Sequence, residues 1–212
     1  MDKPFLEQRE CGLTLVGGEL SLCVDFRDSL KRIKHNNLTH EMVVKAVNIK
    51  SHVGELNVID TTAGLGEDSF LLAAAGFRVT LYEYNSVICA LLRDGISRAL
   101  SDPDLYEVAS RMTLIEGDSI QALKNLSTPP DVIYLDPMFP ARQKSGMIKK
   151  KFQLLQQLES PCMDEDGLLS AAIGARPKRI VIKRPAKGPN LSNVKPSYTI
   201  AGNSIRYDCI VL

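Results

Sequence analysis

Residues 132–140 read VIYLDPMFP, four strand-forming residues followed by Asp136, with Pro137 and Pro140 bracketing Met138 and Phe139. An amine conjugated to an aromatic heterocycle is a poor nucleophile, because its lone pair is delocalised into the ring. An acceptor at the end of a strand, either the Asp136 carboxylate or the Pro137 carbonyl, can hold such an amine by its N–H and aim the lone pair at an electrophile. Phe139 can stack on the ring, and the flanking prolines reduce the entropy lost in positioning both groups. The competing reading is a structural turn with Phe139 in the core, since a proline pair favours turns anyway.

Three other apolar runs end in polar residues of matching kind: Asp60 followed by the glycine loop, Glu83-Tyr84, and Asp118-Ser119. Gly64 and Gly66 begin a G-x-G-x-x-G pattern, but Ser69 stands at its third glycine, so the dinucleotide fingerprint is incomplete. Glu67 and Asp68 follow at once. A pyrophosphate on that helix N-terminus would meet two carboxylates, opposed by roughly a kcal/mol or more per close pair at surface dielectric. S-adenosylmethionine has no phosphate and carries an ammonium and a sulfonium that acids can neutralise, so it is the expected cofactor and a nicotinamide dinucleotide is disfavoured. Glu83, 19 residues beyond Gly64, suits a carboxylate accepting from both ribose hydroxyls. Asp118 suits the adenine amino group, with Ser119 beside it. Taken singly, each acid could equally be a helix cap or a surface residue.

These residues need a frame that brings strand ends together. Short apolar runs alternate with helical patterns, the mark of a parallel sheet with crossover helices. Strands are expected at 56–60, 78–83, 112–118, 131–136 and 179–185, with helices after the glycine loop, closed by Gly76, and from Asn85 or Ser86 to Leu100. The last sixteen residues read as a hairpin turning near Gly202-Asn203. In an open parallel sheet, ligands bind beyond the carboxyl ends of the strands, where the strand order reverses. Residues 1–50 differ in character: a hairpin around Gly17-Gly18, then a helix over 38–50, taken as an N-terminal extension to a main domain of 51–212.

With 44% hydrophobic and 24% charged residues, composition is ordinary for a globular chain. No apolar run reaches the roughly 18 residues that span a bilayer, and the N-terminus has no apolar signal region, so a cytoplasmic protein without a membrane partner is expected. Five scattered cysteines, never paired as C-x-x-C, argue for reduced, mostly core thiols and against a metal site. The net charge of +1 hides an asymmetry: residues 137–207 carry 13 Lys or Arg against four acids. A polyanion is the expected partner, held by Arg142, Lys144, Lys149, Lys150 and Lys151 after the turn and by Lys183 and Arg184 at the end of the neighbouring strand. Arg27, Lys31, Arg32 and Lys34 could join them.

DTTAGLGEDSF followed by YLDPMFP, with VIKRP further on, resembles the bacterial ribosomal RNA small subunit methyltransferase J family over about residues 40–210. The resemblance implies a class I, Rossmann-like, S-adenosylmethionine-dependent methyltransferase fold. It also implies methylation of a guanine N2 in 16S ribosomal RNA, naked or in the small subunit. Its cofactor contacts carry over to Glu67-Asp68, Glu83-Tyr84, Asp118-Ser119 and Asp136. Where the wider amino-methyltransferase pattern has a second proline, Met138 stands here. DNA or protein methylation on the same fold, or RNA binding without catalysis, are the alternatives.

Overall fold

The computed structural model describes residues 3–137, 154, 158 and 164–212. The chain begins with three antiparallel strands, β1 (Phe5–Arg9), β2 (Gly12–Gly17) and β3 (Leu20–Cys23), one strand more than the expected hairpin. They are tied to the rest by main-chain bonds from outside their own sheet: Leu13 N donates to Asp94 Oδ2 at 3.1 Å, and the Arg98 guanidinium reaches the Val24 carbonyl. Phe26 then stacks on Phe70 with centroids 4.5 Å apart, so the N-terminal residues share the larger hydrophobic core.

The helix expected over 38–50 is broken into α1 (His35–Leu38) and α2 (Met42–Val47). Arg32 grips Glu41 through two bonds of 2.8 and 2.9 Å and holds it extended before α2. At the other end Arg179 Nη1 donates to the carbonyls of Ala46 and Asn48, which the next helical turn would otherwise use.

From there the expected alternation holds. The order is β4 (Asn57–Asp60), α3 (Glu67–Ala74), β5 (Arg78–Glu83), α4 (Ser86–Leu100), α5 (Tyr106–Ala109), β6 (Met112–Glu116), α6 (Ser119–Lys124), β7 (Val132–Leu135), α7 (Glu165–Gly174), β8 (Arg179–Pro185), β9 (Tyr198–Ala201) and β10 (Ile205–Val211). Asn85 is the cap of α4, its Oδ1 accepting from Val87 N and Ile88 N. Among the described residues the main sheet has seven strands in the order β6-β5-β4-β7-β8-β10-β9, with β10 antiparallel to both its neighbours. β7 is buried throughout, as a central strand covered on both faces must be.

Residues from α2, α3 and α4 pack on one face of the sheet, and Leu123, Leu168, Leu169 and Ala172 of α6 and α7 on the other. The chain builds outward from β4 to β6, then returns to β7 on the opposite side of β4. The strand order therefore reverses between β4 and β7, and the loops after these two strands flank that crevice. Cys89 and Cys209 are buried, whereas Cys11 is exposed and Cys23 half-buried, a departure from the expected core thiols. Among the described residues no helix is long and apolar enough to cross a membrane.

Candidate active site

The loop after β4 is fastened to strands on both sides. Thr61 N donates to the Tyr134 carbonyl at 3.1 Å, Ala63 N to the Tyr82 carbonyl at 3.0 Å, and Gly64 N to Glu83 Oε2 at 2.9 Å. Gly64 has φ 53°, and no described residue lies within 4 Å of where its side chain would begin, so among the described residues this edge of the loop is open beside Glu83. Gly66, φ 73°, serves packing instead: a Cβ there would run into Leu92.

Asp60 points inward, 2% exposed. Its Oδ1 accepts from Thr62 N at 3.0 Å and its Oδ2 from Ser69 Oγ at 2.6 Å. Burial pushes its carboxyl up to about 7 against those two bonds, with the Asp68 and Asp136 charges adding to the rise. Glu83 is also buried; Oε1 accepts from Asn85 N at 2.8 Å and Oε2 from Gly64 N. Burial raises its pKa while those N–H groups pull it back. The Tyr84 N–H adds to that pull, and of the roughly four acceptor positions of a carboxylate one is left for a hydroxyl donor. Tyr84 stands out from this strand end, 81% exposed. Asp118 caps α6, its Oδ1 accepting from Ile120 N at 2.8 Å, with Ser119 buried beside it. Glu67 lies exposed on the first turn of α3.

The end of β7 is tied to the same loop, Asp136 N donating to Thr62 Oγ1 at 2.7 Å, and Pro137 is buried behind it. Lys183 Nζ lies 2.8 Å from Asp136 Oδ2 and 2.7 Å from Asp68 Oδ2, and Tyr134 Oη donates to the same Asp68 oxygen at 2.6 Å. Packing pushes the Asp136 carboxyl above the usual range, although 35% of its side chain still meets solvent, and the Lys183 charge pulls it back. A cavity of about 590 Å³ between the C-terminal end of α6 and the length of α7, lined by Leu123, Pro129 and Ala171 among others, lies apart from these strand ends and takes no part in the constellation.

Asp60, Gly64, Asp68, Glu83, Asp136 and Pro137 are thus joined at the crevice by shared bonds or adjoining loops, with Asp118 and Ser119 one strand further out. Two expectations need correction. Lys183, assigned to RNA, has its ammonium on two carboxylates inside the site. Arg184 is 2% exposed on the opposite face of β8, where its Nε donates to the Pro189 carbonyl and Nη1 lies 3.8 Å from Glu165. Consecutive strand residues point to opposite faces, so the two could never share one basic surface. Phe139, Arg142, Lys144, Lys149, Lys150 and Lys151 lie outside the described residues. Sequence reasoning missed Tyr134, Thr62 and the role of Lys183. The signal was alternation: Tyr134 stands two residues before Asp136 and shares its face.

A seven-stranded sheet of this order, with a glycine loop after its first strand, an acid closing its second and an Asp-Pro pair after its fourth, defines a class I S-adenosylmethionine-dependent methyltransferase. The family model described as "Putative SAM-dependent methyltransferase" matches residues 6–212. Ribosomal RNA small subunit methyltransferase J of Stutzerimonas stutzeri is 45% identical over 79% of this chain and 65% of its own length. The Hahella chejuensis protein of the same name is 45% identical over 85% and 68%. The chain therefore spans about two thirds of the length of these relatives. The crystal structure of a SAM-dependent methyltransferase from Neisseria gonorrhoeae superposes with a TM-score of 0.78 at 34% identity, covering 99% of this chain and 83% of that one. The chain belongs to the ribosomal RNA small subunit methyltransferase J family.

The family's cofactor is S-adenosylmethionine, and the residues present fit it. Among the described residues, the edge at Gly64 leaves room beside the Glu83 carboxylate, and the carboxylates around the crevice outnumber the one ammonium bonded there.

Proposed function

We propose that the protein transfers a methyl group from S-adenosylmethionine to the exocyclic N2 of a guanine in 16S ribosomal RNA, in the cytoplasm. The observation that carries this reading is the placement of Asp136: a carboxylate at the end of β7, on the switch-point crevice, fixed through its own N–H to the cofactor loop. Bound in the crevice, the cofactor supplies an electrophilic methyl on a sulfonium. Glu83 accepts from the ribose hydroxyls, and Asp118 from the adenine amino group beside Ser119. Tyr84 flanks the nucleoside, and Glu67 with Asp68 presents negative charge to the cationic end. Asp136, or the Pro137 carbonyl, accepts one N–H of the guanine amine and directs its lone pair away from the ring, and Asp136 is the acceptor for the proton shed. Phe139 stacks on the base.

RNA is held by phosphate contacts from Arg142, Lys144, Lys149, Lys150 and Lys151, which follow the reactive turn in sequence, and from Lys31 and Lys34, exposed before α1. The family relationship supports the ribosomal substrate, since its named members are ribosomal RNA methyltransferases.

The test is transfer of labelled methyl groups to 16S RNA, to small subunits lacking the modification, to DNA and to protein, followed by nucleoside mass spectrometry. N2-methylguanosine in RNA is expected. Label in DNA, in protein or in another nucleoside overturns the assignment. Asp136→Ala should lower the rate roughly 100-fold or more while cofactor affinity changes far less, and Phe139→Ala should act less severely.

A further inference from the structure

Asp60, Asp68 and Asp136 converge on the mouth of the sheet, and the cation bonded among them is Lys183. Its side chain is 24% exposed and its Nζ lies within 2.8 Å of two carboxylates carried by different elements, Asp68 on α3 and Asp136 after β7. The sheet register makes this pairing: Val132 stands opposite Arg179 and Leu135 opposite Ile182, so the next residues, Asp136 just past β7 and Lys183 still within β8, come side by side. Tyr134 braces the arrangement from below by donating to the Asp68 oxygen that Lys183 also uses.

Resting on the reading of Asp136 given above, we infer that Lys183 is a positioning residue for methyl transfer: its ammonium ties Asp136 Oδ2 to Asp68 and keeps the Asp136 carboxylate ionised, leaving Oδ1 to accept the target amine. An ammonium can only donate, so both of its bonds require carboxylates in their acceptor form. A protonated Asp136 would present an O–H to the amine N–H, donor against donor, and could neither hold the base nor take its proton. Among the described residues nothing bonds to Asp136 Oδ1. The groups that face Asp136 are Lys183 from β8, Asp68 from α3, Asp60 from β4, Tyr134 from its own strand and Tyr207 from β10. Burial pushes both tyrosines upward, so they stay neutral. The carboxylates oppose ionisation of Asp136, and Lys183 is the group that favours it. The same lysine joins the first turn of α3, which follows the glycine loop, to the residue that ends β7, so that the two halves of the site are placed relative to each other by one side chain.

Two substitutions with opposite expected signs test this. The Asp136 carboxyl is followed by its ¹³C shift, assigned through its loss in Asp136→Asn, and the acid limb of the kcat profile is measured alongside. Lys183→Met should raise the Asp136 midpoint by roughly 1 to 3 pH units, and its deficit in kcat should shrink as the pH is raised. Asp68→Asn removes a like charge and should lower the midpoint. Midpoints that stay in place, or that move in the same direction in both variants, overturn the inference, as does a kcat deficit in Lys183→Met that is equal at every pH. Should Lys183→Met not fold, Asp68→Asn decides alone: a midpoint that does not fall overturns the inference. The carboxyl titration needs no methyl transfer, so a wild-type protein that methylates no RNA at any pH overturns the functional reading instead.

Discussion

Replacing Asp60 with asparagine removes a carboxylate that the fold holds away from water at the end of β4. Its pKa is pushed from 3.8 to about 7 in the folded protein, chiefly by burial. Between those values the folded state binds more protons than the unfolded chain, so stability falls as pH rises. The contribution is complete below the unfolded value and is lost as the pH passes through the folded one. A rise of this size corresponds to about 4 kcal/mol at most. Asparagine keeps an acceptor for Thr62 N, offers a donor to Ser69 Oγ in place of the acceptor used at 2.6 Å, and does not titrate. Urea unfolding of both proteins at closely spaced pH values gives the stability difference, and the subtraction cancels groups that titrate alike in both. That difference should move in favour of Asp60→Asn by roughly 2 to 4 kcal/mol between about pH 4 and pH 8. A difference independent of pH, or one moving the other way, refutes the burial account of Asp60.

Glu83→Ala should weaken S-adenosylmethionine binding in calorimetry by about 1 to 3 kcal/mol, because it removes a charged acceptor and releases Gly64 N from the loop; unchanged affinity would count against Glu83 as a cofactor ligand. Asp131 accepts from Asn57 N at 2.9 Å and from Lys178 at 2.6 Å, joining β4 to β7 at the end opposite the site. Asp131→Ala should therefore cost on the order of 2 kcal/mol in urea unfolding with cofactor affinity intact. Those bonds hold its pKa down against burial, so wild-type stability from this group is present above the unfolded pKa and is lost as the pH falls through the folded one. Removing Lys149, Lys150 and Lys151 together should reduce the log-log salt slope of RNA binding by roughly 2. Arg184→Ala should lower stability and leave that slope alone, and a changed slope there would mean that this buried arginine reaches RNA after all.

Much of this protein was legible in one dimension. Continuous apolar runs with β-branched residues placed the parallel strands, because a strand covered on both faces has no polar side to offer. The glycines at 64 and 66 placed the loop after β4, where both residues adopt positive φ. Acids at the ends of successive runs marked the crevice. The added β1, the break between α1 and α2 and the destination of Lys183 and Arg184 were decided elsewhere. Arg179 reaches across 133 positions to the Ala46 carbonyl, and Arg32 holds Glu41 extended before α2; both override a helical pattern that is locally sound. Lys183 and Arg184 are adjacent and alike in charge, yet one joins the carboxylates of Asp68 and Asp136 and the other is buried on the opposite face of β8 near Glu165. Composition counts both as positive surface. Only the pleat and the register of β8 against β7 separate them, since alternation sends neighbours to opposite faces and strand pairing chooses what each one meets.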